Sequence, residues 1–158
     1  MPASPTRYGI VAARFNRPIT QRLVDGALGF FRSKKFPLSR VDLRWVPGSF
    51  EIPSAVLAMA RGGRYRALIG VGCILQGETP QFAVLSEAAT QGLLIAGLLA
   101  GVPVTCGIVT APSWDLALKR SAQRGLNRGR EAAESAWEMA ALSTADERPM
   151  SRRARGPR

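Results

Sequence analysis

Ala67-Leu-Ile-Gly-Val-Gly-Cys-Ile-Leu75 is an unbroken run without a charged or strongly polar side chain. A strand with one face in water alternates apolar and polar residues. A continuous run of this length, ended by the turn-like Gln76-Gly-Glu-Thr79, is the pattern of a strand covered on both faces, as in a parallel sheet sandwiched between helices.

Working outward, Tyr8-Gly-Ile-Val-Ala-Ala13 reads as a first strand and Arg14-Phe-Asn-Arg-Pro18 as a loop. Ile19 to Ser33 follows a helical period, with Leu23, Val24, Ala27, Phe30 and Phe31 on one side. Val41 to Val46 is a second strand ended by Pro47-Gly48. Ser49 is the expected N-cap of a helix running to about Arg61, with Pro53 in its first turn. After the central run, Thr79 is expected to cap a helix that has Pro80 at its first position and reaches about Ala100. Val104 to Thr110 is a fourth strand. Ser113 caps a short helix to about Gln123, with Asp115 in its first turn, Arg124 to Asn127 is a kink, and Asn127 caps a last helix ending near Leu142. The alternation of strand and helix predicts a flavodoxin-like three-layer α/β/α sandwich with right-handed crossovers and a four-stranded parallel sheet of order 2-1-3-4.

The chain has 158 residues, of which 46% are hydrophobic and 21% charged, enough for one globular domain with a real core. The domain is expected over residues 1–145, followed by a basic, solvated tail over 146–158. The net charge of +11 is concentrated partly in that tail, in Arg148, Arg152, Arg153, Arg155 and Arg158. With no aromatic residue interleaved there, a nucleic-acid partner is not expected. The longest apolar helix candidate is interrupted at Thr90, Gln91, Gly92 and Gly97, so no membrane span is expected, and no signal-like run precedes the first strand. Cys73 and Cys106 lie in strand-like surroundings and read as reduced thiols. The expected location is the cytoplasm. Without histidine or a CxxC pair, no zinc ligand set exists.

In a sheet of this kind, ligands bind beyond the carboxyl ends of the strands. The loops there carry unusual residues. Phe15 either folds back on the core or offers a platform for a flat ring. Glu51 is favoured at a helix start by the dipole alone, yet it could also grip a polyol. Gly77-Glu-Thr-Pro80 joins a buried strand to a helix whose free N–H groups suit an anion. It lacks the Gly-Lys-Ser/Thr of a nucleotide-binding P-loop, and no GxGxxG follows the first strand.

Together these segments resemble the lumazine synthase family. The likeness runs from the first strand through Leu142 and is carried by RFN at Arg14 to Asn16, WVPGSFEIP at Trp45 to Pro53, GCILQGETP at Gly72 to Pro80 and GVPVTCGIVT at Gly101 to Thr110. Glu131 to Ala140 matches the family's last helix. The resemblance implies an enzyme of riboflavin biosynthesis that condenses 5-amino-6-(D-ribitylamino)uracil with 3,4-dihydroxy-2-butanone 4-phosphate to 6,7-dimethyl-8-ribityllumazine, without a cofactor. It implies that Phe15 stacks on the pyrimidine, that Ser49, Phe50 and Glu51 hold the ribityl chain, and that Cys73, Ile74 and Leu75 line the ring pocket. Glu78 and Thr79 would offer N–H groups to the phosphate. Arg120 would pair with it, and Arg124 stands where the family often has a second basic residue.

The chain departs from the family pattern twice. Gln81 occupies the position of the family's catalytic histidine, and the chain contains no histidine at all. An amide orients but does not transfer protons near neutrality. Cys106 replaces an aromatic residue that, in this family, the neighbouring subunit contributes to the ring pocket. Acid–base help is worth about 10²–10⁴-fold, whereas orienting two reactants contributes about 7–11 kcal/mol. The expectation is therefore a slower enzyme. The alternative is a weak or inactive paralogue that binds flavin or lumazine, or forms a shell. The resemblance also implies a homo-oligomer, a pentamer or an icosahedral assembly of pentamers, with riboflavin synthase as a partner. The absence of an insertion between Ser121 and Asn127 permits such a shell.

Overall fold

The computed structural model describes residues 6–146, so most of the basic tail lies outside the described residues. Four strands, β1 (Arg7–Ala13), β2 (Val41–Val46), β3 (Tyr65–Leu75) and β4 (Val104–Ala111), form one parallel sheet in the order β2-β1-β3-β4. The crossovers are α1 (Arg17–Ser33), α2 (Ile52–Ala60) and α3 (Gln81–Ala100), and α4 (Trp114–Arg120) and α5 (Arg128–Asp146) follow the last strand. The expected fold class and strand order are both present.

Alternation along β1 divides the interior into two cores. Tyr8, Ile10 and Ala12 face α1 and α5, and join Ile69, Val71, Leu23, Phe31 and Ala136. Val11 and Ala13 face the other way, onto Ile52 and Val56 of α2 and Leu93 of α3. β3 feeds both cores, which is why its sequence is apolar throughout. Each fully buried Ile, Leu or Phe contributes about 1.5–3 kcal/mol. At the amino-terminal end of the sheet Tyr8 packs among Phe31, Phe36 and Trp137, stacked on the last at a centroid separation of 5.7 Å.

Helices α1 and α5 approach each other unusually closely. A Cβ on Gly129 would lie 1.9 Å from the Leu23 carbonyl oxygen, and one on Gly26 would lie 2.1 Å from the Asn127 side chain. Asn127 is buried there. Its Nδ2 donates to the carbonyls of Arg22 and Ala122, both at 3.1 Å, and its Oδ1 accepts from Arg130 N at 3.0 Å. The expected cap of the last helix thus also ties that helix to the first.

Several boundaries differ from expectation. α1 begins at Arg17, because Asn16 turns the chain into the helix from a left-handed conformation. Ser49 caps nothing: residues Ser49–Glu51 form a single 3-10 turn that leads into α2. α3 starts at Gln81, after Pro80 rather than at it. Ser113 does cap α4, accepting from Leu116 N at 3.3 Å, but α4 stops at Arg120 because residues 121–127 close on themselves through the Ser121–Asn127 bridge. α5 continues past Leu142 to Asp146.

The expectation of no membrane-length segment does not hold for α3. At 20 residues it is long and apolar enough to cross a bilayer by length and composition. Its polar interruptions sit within one continuous helix, where the Thr90 hydroxyl is satisfied by the Ser86 carbonyl at 2.7 Å. Ala89, Leu93 and Ala96 pack on the sheet, while Val84, Leu94, Ile95, Leu98 and Leu99 face outward, Leu98 being 74% exposed.

One polar staple spans three strands at the lower edge of the sheet. Arg7 grips the Asp42 carboxylate through two nitrogens, one of them Nε at 2.8 Å, and the Tyr65 hydroxyl donates to the same carboxylate at 2.8 Å. The Arg7 hydrogen bond, reinforced by that of Tyr65, lowers the Asp42 pKa from 3.8 to about 2. A depressed carboxyl pKa stabilises the folded state above the ordinary value, and the contribution is lost as pH falls through the folded one. We expect Asp42→Asn to lower the urea midpoint near neutrality, and the gap to wild type to close between pH 3.8 and about 2. Equal midpoints for the two proteins at neutral pH would refute a stabilising role.

Candidate functional site

β1 and β2 end level, since Ala13 pairs with Val46, while β3 runs on from Val71, the partner of Ala12, to Leu75, level with Ala111 of β4. The loops that leave them are tied together. Arg14 N donates to the Val46 carbonyl at 2.8 Å and Phe15 N to the Pro47 carbonyl at 3.0 Å. Between these loops and the first turn of α3 lies an open cleft of about 590 Å³, a size suited to a small-molecule ligand.

Its walls come from four places in the chain. The β1–α1 loop gives Phe15 and Asn16, and the β2–α2 loop gives Pro47, Gly48, Ser49, Phe50 and Glu51. The end of β3 gives Cys73, Ile74 and Leu75. The β3–α3 connection and α3 give Gly77, Thr79, Gln81, Phe82 and Leu85.

Phe15 does not fold back on the core: it is 71% exposed, and Phe50 is 62% exposed, so two aromatic rings stand at the cleft with apolar faces in water. Asn16 is what holds Phe15 out. It adopts φ 56° and ψ 37°, a left-handed conformation that Asn tolerates better than most side chains. Its carbonyl accepts from Ile19 N and Thr20 N, starting α1, while its Nδ2 donates to the Cys73 carbonyl at 3.0 Å. One residue therefore starts the helix, fixes the loop to β3 and projects the ring.

Glu51 sits in the turn just before α2, where its charge favours the helix start. Burial raises the Cys73 thiol to about 11, so it stays protonated and is a wall of the cleft, not a nucleophile. At the other side, the first turn of α3 brings Gln81 and the free N–H groups of a helix start to the cleft.

Of the residues anticipated from sequence, Phe15, Ser49, Phe50, Glu51, Cys73, Ile74, Leu75, Thr79 and Gln81 thus come together. Four do not line this cleft. Glu78 is exposed in the turn beside it. Cys106 lies in a separate depression of about 260 Å³ with Thr105, Arg128 and Glu131. Arg120 ends α4 and Arg124 lies in the α4–α5 loop, both exposed and outside the cleft of their own chain. Phe82 and Leu85 were missed. Their signal was the helical spacing that puts 81, 82 and 85 near one face. Among the described residues, no cluster of His, Cys, Asp or Glu could hold a metal ion.

The family model described as 6,7-dimethyl-8-ribityllumazine synthase matches residues 5–144. The chloroplastic 6,7-dimethyl-8-ribityllumazine synthase of Spinacia oleracea is 38% identical over 141 residues, which cover 89% of this chain and 63% of that protein. The enzyme of the same name from Arabidopsis thaliana is 35% identical over 136 residues, covering 86% of this chain and 60% of the relative. The matched region thus spans about six-tenths of the length of these relatives.

The left-handed Asn16 gives a discriminating stability test. Asn16→Ala loses the bond to the Cys73 carbonyl, worth about 1 kcal/mol, and strains the backbone by about a further 1–2 kcal/mol. Asn16→Gly loses only the bond. Urea unfolding should therefore rank wild type above Asn16→Gly, and Asn16→Gly above Asn16→Ala. Equal stability of the two variants would contradict the conformational argument.

Proposed function

The chain belongs to the 6,7-dimethyl-8-ribityllumazine synthase family, and from that premise we propose that it condenses 5-amino-6-(D-ribitylamino)uracil with 3,4-dihydroxy-2-butanone 4-phosphate, releasing phosphate and water. The observation that carries this reading is the meeting of an exposed aromatic platform, Phe15, a carboxylate, Glu51, and a helix start at Thr79 to Gln81 around one cleft. A flat ring stacks on Phe15, its ribityl chain runs along Ser49, Phe50 and Glu51, and the main chain of Cys73, Ile74 and Leu75 borders the ring. The butanone phosphate is held by the N–H groups of the Glu78–Thr79 turn.

The guanidinium that pairs with the phosphate is Arg120, supported by Arg124, and both come from a neighbouring copy of the chain. Two features support a shared site. Arg120 and Cys106 lie outside the cleft of their own chain. The outward face of α3, with Val84, Leu94, Ile95, Leu98 and Leu99, is apolar and uncovered in the single chain. The proposed assembly is a pentamer or a shell of pentamers. A reducing compartment, the cytoplasm, suits the free thiols of Cys73 and Cys106, although the plant relatives are named chloroplastic.

A second reading, a copy that binds lumazine or flavin with little turnover, is favoured by one observation: Gln81 lines the cleft and the chain has no histidine. Turnover decides between the two. The wild-type protein mixed with both substrates should form the lumazine, followed by its absorbance, faster than the uncatalysed reaction. Arg120→Ala should lower kcat/KM by about 10–100-fold, the loss of a charge-assisted hydrogen bond of about 1.5–3 kcal/mol, and Gln81→His should change it less. Native mass should give a multiple of five chains. Background-level formation by wild type with intact lumazine binding would establish the second reading.

A further inference from the structure

Resting on the condensation reading, we infer that the Glu51 carboxyl group carries the protons of the reaction in this chain, from within the same cleft as Gln81.

The β1–α1 loop presents an aromatic ring and an amide, Phe15 and Asn16, and the Asn16 amide is already committed to the Cys73 carbonyl. α3 presents another amide, Gln81, and apolar side chains beyond it. Amides and rings do not exchange protons near neutrality. From β3 comes the Cys73 thiol, which burial raises to about 11. No lysine, arginine or histidine of the described residues lines the cleft. Glu51 is the remaining ionisable side chain of this chain that lines the cleft.

Its surroundings leave it free to do so. Among the described residues, neither a hydrogen bond nor an ion pair engages the Glu51 side chain; its main chain alone is used, the N–H donating to the Gly48 carbonyl at 3.3 Å and the carbonyl accepting from the Ser54 hydroxyl at 3.0 Å. One carboxylate oxygen lies 3.0 Å from where a Cβ on Gly48 would be, so the group folds back over a residue that has no side chain to screen it. Asp42 shows the contrast: it is clamped by Arg7 and Tyr65 at the opposite end of the sheet.

The chemistry balances without another reactant. The uracil 5-amine adds to the ketone and the adduct loses water. The Glu51 carboxylate takes the two nitrogen protons one at a time and passes each to the ketone oxygen, which departs as water and leaves Glu51 a carboxylate again. The carboxylate then removes the proton from carbon 3 of the imine, the C4–O bond breaks, and its electron pair leaves on phosphate. Carbon 4 of the resulting enol takes the proton back from Glu51 and the enol hydroxyl proton passes to the phosphate. Addition of the second amine to the new carbonyl, with loss of another water, closes the ring.

The test uses the full chain in its native assembly, with Glu51→Gln, Glu51→Asp, Gln81→His and the double variant Glu51→Gln/Gln81→His. Circular dichroism and native mass check that each folds and assembles. Fluorescence titration with 6,7-dimethyl-8-ribityllumazine measures binding. Glu51→Gln should lose about 10²–10⁴-fold in kcat with lumazine affinity reduced at most about tenfold, and Glu51→Asp should retain more activity. Histidine at position 81 should restore at least about tenfold of the loss in the double variant. A Glu51→Gln protein that keeps kcat and only raises KM for the ribityl substrate overturns the inference, since Glu51 then merely grips the polyol. So does a loss of kcat that Gln81→His leaves unrepaired. Absence of turnover in the wild type overturns the condensation reading itself, and with it this assignment, whereas the first two outcomes leave that reading standing.

Discussion

The central strand β3 is covered on both faces, and the rest of the fold follows from that cover. Ile69 and Val71 require a helical layer on one side and Leu68 on the other, so α1 and α5 close one core while α2 and α3 close the second. Parallel strands cannot be joined by hairpins, and the crossover helices that join them supply that cover. Crossovers leave every strand pointing the same way. The cleft then forms at the one rim to which all the carboxyl ends point, where β1 and β2 end level at Ala13–Val46 and β3 runs on beside them to Leu75. The geometry of the site is thus a consequence of burial in the middle of the sheet, not of the loops alone.

The two ends of the sheet use polar groups differently. At the amino end, Asp42 is consumed by structure: its oxygens are occupied by Arg7 and Tyr65, and it joins β1, β2 and β3. At the carboxyl end, Asn16 is consumed in the same sense, since its backbone starts α1 and its amide holds β3. Glu51 beside it is left open. A rigid frame with one uncommitted carboxylate is the arrangement in which that group's contacts are set by what binds rather than by the fold.

The strands were legible because their apolar blocks leave no alternative, and the sheet order followed from the alternation of elements. Boundaries were less so. Nothing local to Arg17 announces the start of α1, because the cause is a left-handed turn at Asn16 whose partner, the Cys73 carbonyl, lies 57 residues away. The loop after Arg120 closes through its own Ser121–Asn127 bridge and is anchored to the Arg22 carbonyl, 105 residues from Asn127. The polar residues in α3 looked like interruptions, yet an intact helix absorbs them. In the candidate site, the residues on the loops of β1, β2 and β3 were readable because topology delivers them to one rim. Arg120, Arg124 and Cys106 do not line that cleft, and nothing in their local sequence announces it.

The dovetail of α1 against α5, where Gly129 lets backbone meet backbone and Gly26 makes room for the Asn127 side chain, joins segments made at opposite times. The Asn127 amide reaches a carbonyl 105 residues earlier in the chain. During synthesis at about 5–20 residues per second, the first helix waits on the order of ten seconds before its partner leaves the ribosome. Through that interval Leu23, Val24 and Phe31 have only part of their eventual shelter. The nascent chain is therefore most open to aggregation and to chaperone capture late in translation, until the last helix emerges and locks the first one down.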